Sequence, residues 1–144
     1  MARPDQLINC IFRSPAIQNM PVTSAICFPP AGAALKPGEQ IEIKGYAWSG
    51  GGNRIIRVDL TSDGGKSWTE AEIVQQDSVR EPRHYGWTLW KAKITVPKGK
   101  SQLEIWSKAV DSNYNVQPES FDNIWNLRGL LSNAYYRAKY DVRK

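Results

Sequence analysis

The sequence predicts an all-β protein, an antiparallel β-sandwich, and three observations support this prediction. Several short segments alternate apolar and polar residues, which is the period of a strand that buries one face. Clusters of Gly, Pro, Ser, Asp and Asn separate these segments at short intervals. No segment shows a convincing helical period. Short strands joined by tight turns, without helices, are expected to pack as two antiparallel sheets.

The first predicted strand is short and is bounded by prolines. Residues 22–26 alternate between Pro21 and a Pro-Pro pair, and because proline donates no ladder hydrogen bond, we expect an edge strand. Six of the nine prolines lie before Gly38, which excludes a long helix there. We interpret residues 1–20 as a connector or the remnant of a preceding domain, and residues 21–144 as one domain.

Six further segments have the strand period and are predicted to be strands: Ile41–Trp48, Ile56–Leu60, Ala71–Val74, Trp87–Val96, Leu103–Lys108 and Ala134–Val142. Their predicted core residues lie at alternate positions and include Ile41, Ile43, Gly45, Ile56, Val58, Leu60, Trp90, Ala92, Ile94, Val96, Leu103, Ile105, Tyr136, Ala138, Tyr140 and Val142. Most of the six tryptophans are also predicted to be core residues. Trp106 is out of phase with its strand, so we expect it on the face away from the core.

Two glycine-rich segments are predicted to be turns. Residues 49–53 lack the Lys-Ser/Thr ending of a nucleotide-binding loop and precede a strand, so a simple loop is favoured. Residues 61–68 resemble the Asp-box hairpin, in which Asp63 accepts hydrogen bonds from nearby backbone N–H groups and Trp68 packs back on the turn. One copy of this motif indicates a structural turn. The long polar segment from Gln75 to Gly86 is predicted to be an exposed loop.

The composition argues against several classes of partner. The 19 Lys and Arg against 14 Asp and Glu give a net charge of +5, which favours acidic partners in general. No basic run is interleaved with aromatic residues, so we predict no nucleic-acid partner. No apolar run is long enough to cross a bilayer, so we predict no membrane partner. The N-terminal residues lack the apolar core of a signal peptide, and no compartment is assigned.

Metal binding and disulfide bonds are not expected either. The chain has two cysteines, Cys10 and Cys27, and one histidine, His84. This set contains no CxxC pair and no second histidine, so it cannot make a structural zinc site or a disulfide framework. A lone histidine without a titrating partner at usable spacing is also a weak candidate for a general base. We therefore predict no metal site in this chain.

The most unusual segment runs from Asp122 to Arg137. It contains several large apolar side chains and, among them, Arg128 followed by Gly129. A guanidinium group in apolar surroundings needs an anionic partner. That partner is either an external anion or a carboxylate of this chain, at Asp111, Glu119 or Asp122, and composition alone favours the carboxylate.

Seven motifs, taken in order, resemble one family, the C-terminal dimerisation domain of the eukaryotic molybdenum-cofactor oxidoreductases, with the sulfite oxidases as the nearest branch. The resemblance covers the chain from about Pro15 to its end. The motifs are Lys44–Gly52, Arg57–Asp59, Ser62–Trp68, Trp87–Trp90, Lys108–Asp111, Tyr114–Pro118 and Trp125–Gly129.

This resemblance implies an immunoglobulin-like (E-set) β-sandwich that forms a homodimer. It also implies a larger preceding domain that binds molybdopterin, the molybdenum cofactor, and carries the catalytic residues. That domain is not in this sequence, so we expect this chain to bind no cofactor, to contain no catalytic residue and not to oxidise sulfite alone. Some of the tryptophans are expected to form the dimer face. For an animal-type enzyme the implied location is the mitochondrial intermembrane space.

The resemblance implies a function for two residues of this chain. Arg128 corresponds to the arginine with which the family's dimerisation domain reaches the substrate pocket and binds the sulfite or sulfate anion. Nitrate reductases have an apolar residue at this position, so Arg128 favours the sulfite branch. Gly129 is expected to let the backbone approach a neighbouring surface.

Two other functions remain open from the sequence. One is a free-standing immunoglobulin-like module that pairs with itself or binds another protein without molybdenum chemistry. The other is a small hydrolase or glycosidase that uses Asp63 or Glu70. The hydrolase reading is weak because no paired carboxylates occupy convincing positions.

Overall fold

The computed structural model describes residues 16–76 and 83–143. Three predictions fall partly or wholly on other residues. Cys10, the first fifteen residues of the predicted connector, and residues 77–82 of the predicted polar loop lie outside the described residues. The division into a connector and a domain at residue 20 therefore stays a prediction.

The described residues form nine β-strands, and no helix among them is long and apolar enough to cross a membrane. The strands are β1 (Thr23–Phe28), β2 (Ala34–Leu35), β3 (Gln40–Trp48), β4 (Ile55–Thr61), β5 (Thr69–Glu70), β6 (Glu72–Gln75), β7 (Thr88–Thr95), β8 (Gln102–Asp111) and β9 (Tyr136–Val142). One sheet has the order β1-β3-β7-β6 and the other the order β2-β9-β8-β4-β5. All pairings are antiparallel except the two-residue pairing of β2 with β9. The all-β sandwich prediction is confirmed, and β1 is an edge strand as expected.

The core lies between the two sheets and follows the predicted alternation. In β3 the buried positions begin with Ile41 and Ile43, and their partners across the ladder are Ile94 and Ala92 of β7. Gly45 continues the series opposite Trp90. Because a Cβ atom at Gly45 would collide with the Trp90 indole, the glycine makes room for this fully buried ring.

The predicted core face of β4 was wrong at its first residue. Ile55 is buried with 2% of its surface exposed, whereas Ile56, the predicted core residue, is only partly buried. The register with β8 shifts between Ile55 and Arg57. This bulge inserts one extra residue, so the two-residue alternation that holds from Val58 onward cannot be extended backwards through it.

Two predicted strand boundaries also differ from the structure. The strand predicted at residues 71–74 corresponds to β6, which pairs with β7, and the two-residue strand β5 just before it, which pairs with β4 in the other sheet, was not predicted. Ala71 is the buried residue at which the chain crosses between sheets, and its amide donates to the Val58 carbonyl at 2.8 Å. The last strand begins at Tyr136 and not at Ala134, since the Tyr135 amide donates to Pro118 instead of to β8.

The Asp-box hairpin has the predicted structure. One carboxylate oxygen of Asp63 accepts from the amides of Lys66 and Ser67, both at 3.0 Å, and the other accepts from the Ser67 hydroxyl at 2.6 Å. The Trp68 indole N–H donates to the Gly65 carbonyl at 3.1 Å. The hydroxyl and backbone donors of Ser67, with smaller effects from Thr61 and Lys66, hold the pKa of Asp63 well below its usual range.

The prediction that most tryptophans are core residues was wrong. Trp90 is the one fully buried tryptophan of the six, whereas Trp87 and Trp125 expose 61% and 67% of their surfaces. The prediction for Trp106 is confirmed, because it lies on the outer face of the five-stranded sheet. There the Arg137 guanidinium stacks over its ring at 4.0 Å.

Candidate functional site

The loops at one end of the sandwich are tied together by a buried carboxylate. Asp111 ends β8 and is fully buried. Its two oxygens accept five hydrogen bonds of 2.8–3.1 Å, two of them from backbone amides and three from side chains. The donors are the Ser49 hydroxyl, the Asn53 side-chain amide, the Asn113 backbone amide, and both the backbone and side-chain amides of Asn115.

These donors decide the charge state of Asp111. Burial alone would raise the pKa of this carboxyl, but hydrogen bonds from Asn115, Ser49 and Asn113 outweigh that effect and lower the pKa. Asp111 is therefore ionised in the folded protein and is fully occupied by groups of its own chain. It is a structural residue that shapes this end of the sandwich, and it is not free to pair with Arg128.

The N-terminal part of the domain enters the sandwich at this same end. The Asn133 side chain donates to the Val22 carbonyl at 2.9 Å, and the Gly50 amide donates to the Met20 carbonyl at 2.9 Å. Residues 19–22 also line one cleft together with Leu131 and Asn133. The segment that leads into the domain thus runs beside Leu131 and Asn133, which follow the loop that carries Arg128.

The loop that carries Arg128 is closed by Asn126. The Asn126 side chain accepts from the Leu130 amide at 2.9 Å and donates to the Leu130 carbonyl at 2.8 Å. The Gly129 amide also donates to the Asn126 backbone carbonyl at 3.0 Å. These bonds place Arg128 at the tip of a tight loop held by one asparagine, which we name the Asn126 loop (residues 126–130).

Arg128 itself is exposed and forms no ion pair with any described acidic residue. The predicted alternative, a salt bridge to Asp111, Glu119 or Asp122, is therefore wrong. Asp111 is occupied by its own donors, and the Asp122 carboxylate accepts from the Ser120 hydroxyl at 2.7 Å. The guanidinium keeps its donors free for a group outside the described residues.

Large apolar side chains surround the Arg128 position and are also exposed. Leu127 exposes 90% of its surface, and the segment before and after it exposes three more, Phe121, Trp125 and Leu130. Exposed apolar side chains close together in sequence are a candidate interaction surface. We name it the loop-end surface (Phe121, Trp125, Leu127, Arg128 and Leu130).

Gly129 has a backbone reason to be glycine. Its φ is 63°, in the left-handed region, and nothing lies within 4 Å of the position where a Cβ atom would stand. A side chain is thus disfavoured there by backbone strain and not by crowding within the domain. The predicted close approach to a neighbouring surface stays a prediction.

The other candidate residues do not assemble a second site. Asp63 is fully engaged in its turn and Glu70 is exposed on the two-residue strand β5, so the pair offers no general acid. His84 is buried, and its amide donates to the Gly52 carbonyl at 2.9 Å. Among residues 16–76 and 83–143, no three His, Cys, Asp or Glu side chains lie close enough together to hold a metal ion. No described cluster fits a molybdenum ion.

The fold defines a class of protein, an all-β domain of two packed sheets. The family model for the Mo-co oxidoreductase dimerisation domain matches residues 14–143. The chain belongs to this family.

The relatives place the chain near the sulfite oxidases. It is 54% identical to the mitochondrial sulfite oxidase of Drosophila melanogaster over 136 residues, which cover 90% of this chain and 24% of that protein. It is 51% identical to the sulfite oxidase of Gallus gallus over 124 residues, covering 86% of this chain and 26% of that protein. The chain therefore spans about a quarter of the length of the curated relatives it matches.

Solved structures agree with the fold. The sulfane dehydrogenase SoxCD of Paracoccus pantotrophus superposes with a TM-score of 0.61 at 27% identity, over 87% of this chain and 33% of that chain. A CARDB domain of Pyrococcus furiosus has a TM-score of 0.51 at 11% identity, over 89% of this chain and 97% of that chain. The second likeness is one of fold alone.

Sequence reasoning singled out Arg128 as a candidate and missed two groups of hydrogen bonds that shape this end of the molecule, those of Asp111 and those of Asn126. The Asp111 donors come from two loops far apart in sequence, so no local pattern indicates that they meet. Asn126 lies in the quoted Trp-Asn-Leu-Arg-Gly motif, which was a usable signal. The hydrogen bonds of the Asn126 side chain to Leu130 depend on a loop conformation that the motif alone does not predict.

Proposed function

We propose that this chain is the dimerisation domain of a sulfite-oxidising molybdenum enzyme. In this proposal two copies pair, and each copy supplies Arg128 to the sulfite and sulfate pocket of the molybdopterin domain that precedes it in the same polypeptide. The chain alone supplies neither the cofactor nor the catalytic residues. The free-standing module is not favoured, because the most similar relatives are sulfite oxidases.

One observation supports the pocket assignment above all. Arg128 is exposed, is without an acidic partner among the described residues, and lies three residues before Leu131, which lines a cleft together with residues 19–21. A preceding domain would be tethered beside the loop-end surface, so it is the nearest body that could cover those apolar side chains. A guanidinium has five donors in a planar fork, a geometry suited to two oxygens of one anion.

The direction of charge is consistent with this assignment. Sulfite and sulfate are anions, and an arginine stays protonated at any physiological pH. A charge-assisted hydrogen bond in a pocket shielded from water is stronger than one between neutral groups. Arg128 would therefore bind and orient the anion, while the chemistry of oxidation belongs to the molybdenum cofactor of the preceding domain.

The proposed location follows the animal relatives, whose names place them in mitochondria. We propose that an enzyme containing this domain acts in the mitochondrion, within the intermembrane space. Fractionation of mitochondria, with protease protection before and after rupture of the outer membrane, tests this location.

A hybrid enzyme tests the proposed function. Residues 14–143 of this chain replace the matching segment of the Drosophila sulfite oxidase. The hybrid is expected to load the cofactor, to dimerise, and to oxidise sulfite with a KM within about threefold of the parent. A second hybrid carries the Pyrococcus CARDB domain, which shares the fold but not the sequence.

The comparison of the two hybrids distinguishes effects that need the sequence of this domain from effects that need only its fold. We expect the CARDB hybrid to be monomeric and to have a much higher KM for sulfite. An inactive first hybrid with full cofactor content would contradict the proposed function. Equal KM values for sulfite in both hybrids would show that any β-sandwich domain at this position supports sulfite binding, and would contradict the function proposed for Arg128.

A further inference from the structure

We propose that Asn126 is a positioning residue for the anion site, whose side chain holds Arg128 in its binding position before the anion arrives. This inference rests on the proposed function, which assigns the anion to Arg128 without saying what fixes the arginine in place. It adds a second residue on which the affinity for sulfite and sulfate depends. Asn126 acts through Arg128 and is not expected to contact the anion itself.

The backbone at the end of the Asn126 loop has a conformation that its sequence does not favour throughout. Gly129 has a φ of 63°, which glycine adopts readily, but Leu131 has a φ of 59°, which a residue with a Cβ atom rarely adopts. Strain of this kind persists only where surrounding interactions impose the conformation. The loop therefore needs interactions that hold the backbone between these two residues, at Leu130.

The Asn126 side chain supplies those interactions. It donates to the Leu130 carbonyl at 2.8 Å and accepts from the Leu130 amide at 2.9 Å, so both polar groups of that backbone unit are bound by one side chain. Every described hydrogen bond of residues 127–132 has Asn126 as its partner, the third being the Gly129 amide donating to the Asn126 carbonyl. The Arg128 side chain has no hydrogen bond of its own within the described residues. Its position therefore depends on how firmly Asn126 holds the backbone.

The segment that follows the loop is anchored in the interior of the sandwich. The Gln117 side chain, which exposes 2% of its surface, donates to the Asn133 carbonyl at 3.0 Å and to the Ala134 carbonyl at 3.2 Å. It also accepts from the Ser24 hydroxyl of β1 at 2.7 Å. One end of the loop is thus fixed to a rigid frame by buried hydrogen bonds. The Asn126 side chain closes the exposed part, where Arg128 lies.

A fixed loop raises the affinity of its arginine for an anion. A guanidinium binds two oxygens of one anion in a set direction, so it must be held in place to make both bonds. When the loop has several conformations, the observed dissociation constant is the intrinsic one divided by the fraction of chains in the competent conformation. Asn126→Ala should lower that fraction. Because the arginine would hold the bound anion throughout the reaction, the loss should appear in KM and not in kcat.

The test is a double-mutant cycle of Asn126→Ala and Arg128→Met in the Drosophila hybrid enzyme. Asn126→Ala is expected to raise the KM for sulfite and the inhibition constant of sulfate by about 3- to 10-fold, with kcat changed by less than about twofold. In the Arg128→Met background it should change neither constant by more than about twofold, because no guanidinium is left to position. Asn123→Ala is the control, since Asn123 is exposed and makes no described side-chain hydrogen bond.

A second measurement reports on the loop without enzyme activity. Nitrogen-15 relaxation of the 144-residue chain gives backbone order parameters, which are about 0.85 for a rigid backbone and below about 0.6 for a flexible one. Residues 127–129 should be rigid in the wild type and in Asn123→Ala, and flexible in Asn126→Ala. Unchanged order parameters along β8 check that the variants stay folded.

The outcomes distinguish this inference from the proposed function. A KM raised by Arg128→Met but not by Asn126→Ala overturns the positioning role and leaves the proposed function intact. An effect of Asn126→Ala that is equally large without Arg128 also overturns it, because that effect does not act through the guanidinium. Order parameters that stay high in Asn126→Ala show that the side chain does not hold the loop. A KM that Arg128→Met leaves unchanged overturns the proposed function and the positioning role together.

Discussion

Asp111 shows how one buried charge can organise several loops. A carboxylate with no exposed surface is costly unless its oxygens are satisfied, and here five donors from two loops satisfy them. The same bonds draw Ser49, Asn53 and Asn115 to one point. These three residues line one cleft together with Leu131 and Asn133, so the shape of that cleft depends on the convergence.

Replacing Asp111 by Asn should destabilise the domain strongly. The new side-chain NH2 would face donors in place of acceptors, so several hydrogen bonds to a charged group are lost. We expect a loss of about 2–4 kcal/mol in the free energy of unfolding, measured by urea denaturation at pH 7. Asp141→Asn, at a partly exposed carboxylate paired with Arg143, is the control and should cost less than about 1 kcal/mol.

The loss of stability caused by Asp111→Asn should also depend on pH. The folded pKa of Asp111 is lowered, so its contribution is complete above the unfolded value of about 3.9 and is lost as pH falls through the folded pKa. The stability difference between wild type and Asp111→Asn should thus shrink below about pH 4. A stability difference that stays constant down to pH 2.5 would mean that the charge of the Asp111 carboxylate does not contribute to the free energy of unfolding.

At the level of the elements, alternation predicted the strands well wherever the ladder is regular. The buried faces of β3, β7 and β8 follow directly from their sequences, because each strand buries one face without interruption. The β4 bulge and the crossing at Ala71 were not predictable in this way. The bulge shifts the register between β4 and β8, and at Ala71 the chain passes from one sheet to the other. Both features depend on the neighbouring strands, which the alternation within one strand does not describe.

The exposed tryptophans were mispredicted for a related reason. Alternation indicates which side of a strand a residue occupies, and a large aromatic residue is usually assigned to the core by its apolar area. Trp87 precedes β7 and Trp125 lies in a loop, so neither position is part of a ladder. Trp90, in contrast, lies within β7 opposite Gly45, which leaves space for its buried ring.

The Asn126 loop yields a prediction at the same scale. Asn126→Ala removes both side-chain bonds to Leu130, so the Leu130 amide should exchange with solvent at least ~5-fold faster, the equivalent of about 1 kcal/mol. Hydrogen exchange followed by NMR measures this rate. Asn123→Ala, at an exposed asparagine in the preceding turn, is the control. An unchanged exchange rate of the Leu130 amide in Asn126→Ala would show that the loop keeps its conformation without the side-chain hydrogen bonds of Asn126.

At the level of the whole molecule, the proposed function needs a contact between the loop-end surface and the preceding domain. Composition alone favoured a carboxylate of this chain as the partner of Arg128, and the resemblance favoured an external anion. The structure has no ion pair between Arg128 and a described acidic residue. Neither source places the preceding domain, so the contact remains a proposal that enzyme kinetics can test.

The KM for sulfite of the hybrid enzyme carrying Arg128→Met tests the central claim most directly. If Arg128 binds the anion, loss of its charge-assisted hydrogen bonds should raise KM by roughly 10- to 100-fold. Arg143→Met is the matched control, because Arg143 is an exposed arginine that follows β9, at the far end of that strand from the Asn126 loop. It should leave KM unchanged. A KM for Arg128→Met equal to that of the unmodified hybrid, with full cofactor content and a normal melting temperature, would contradict the account.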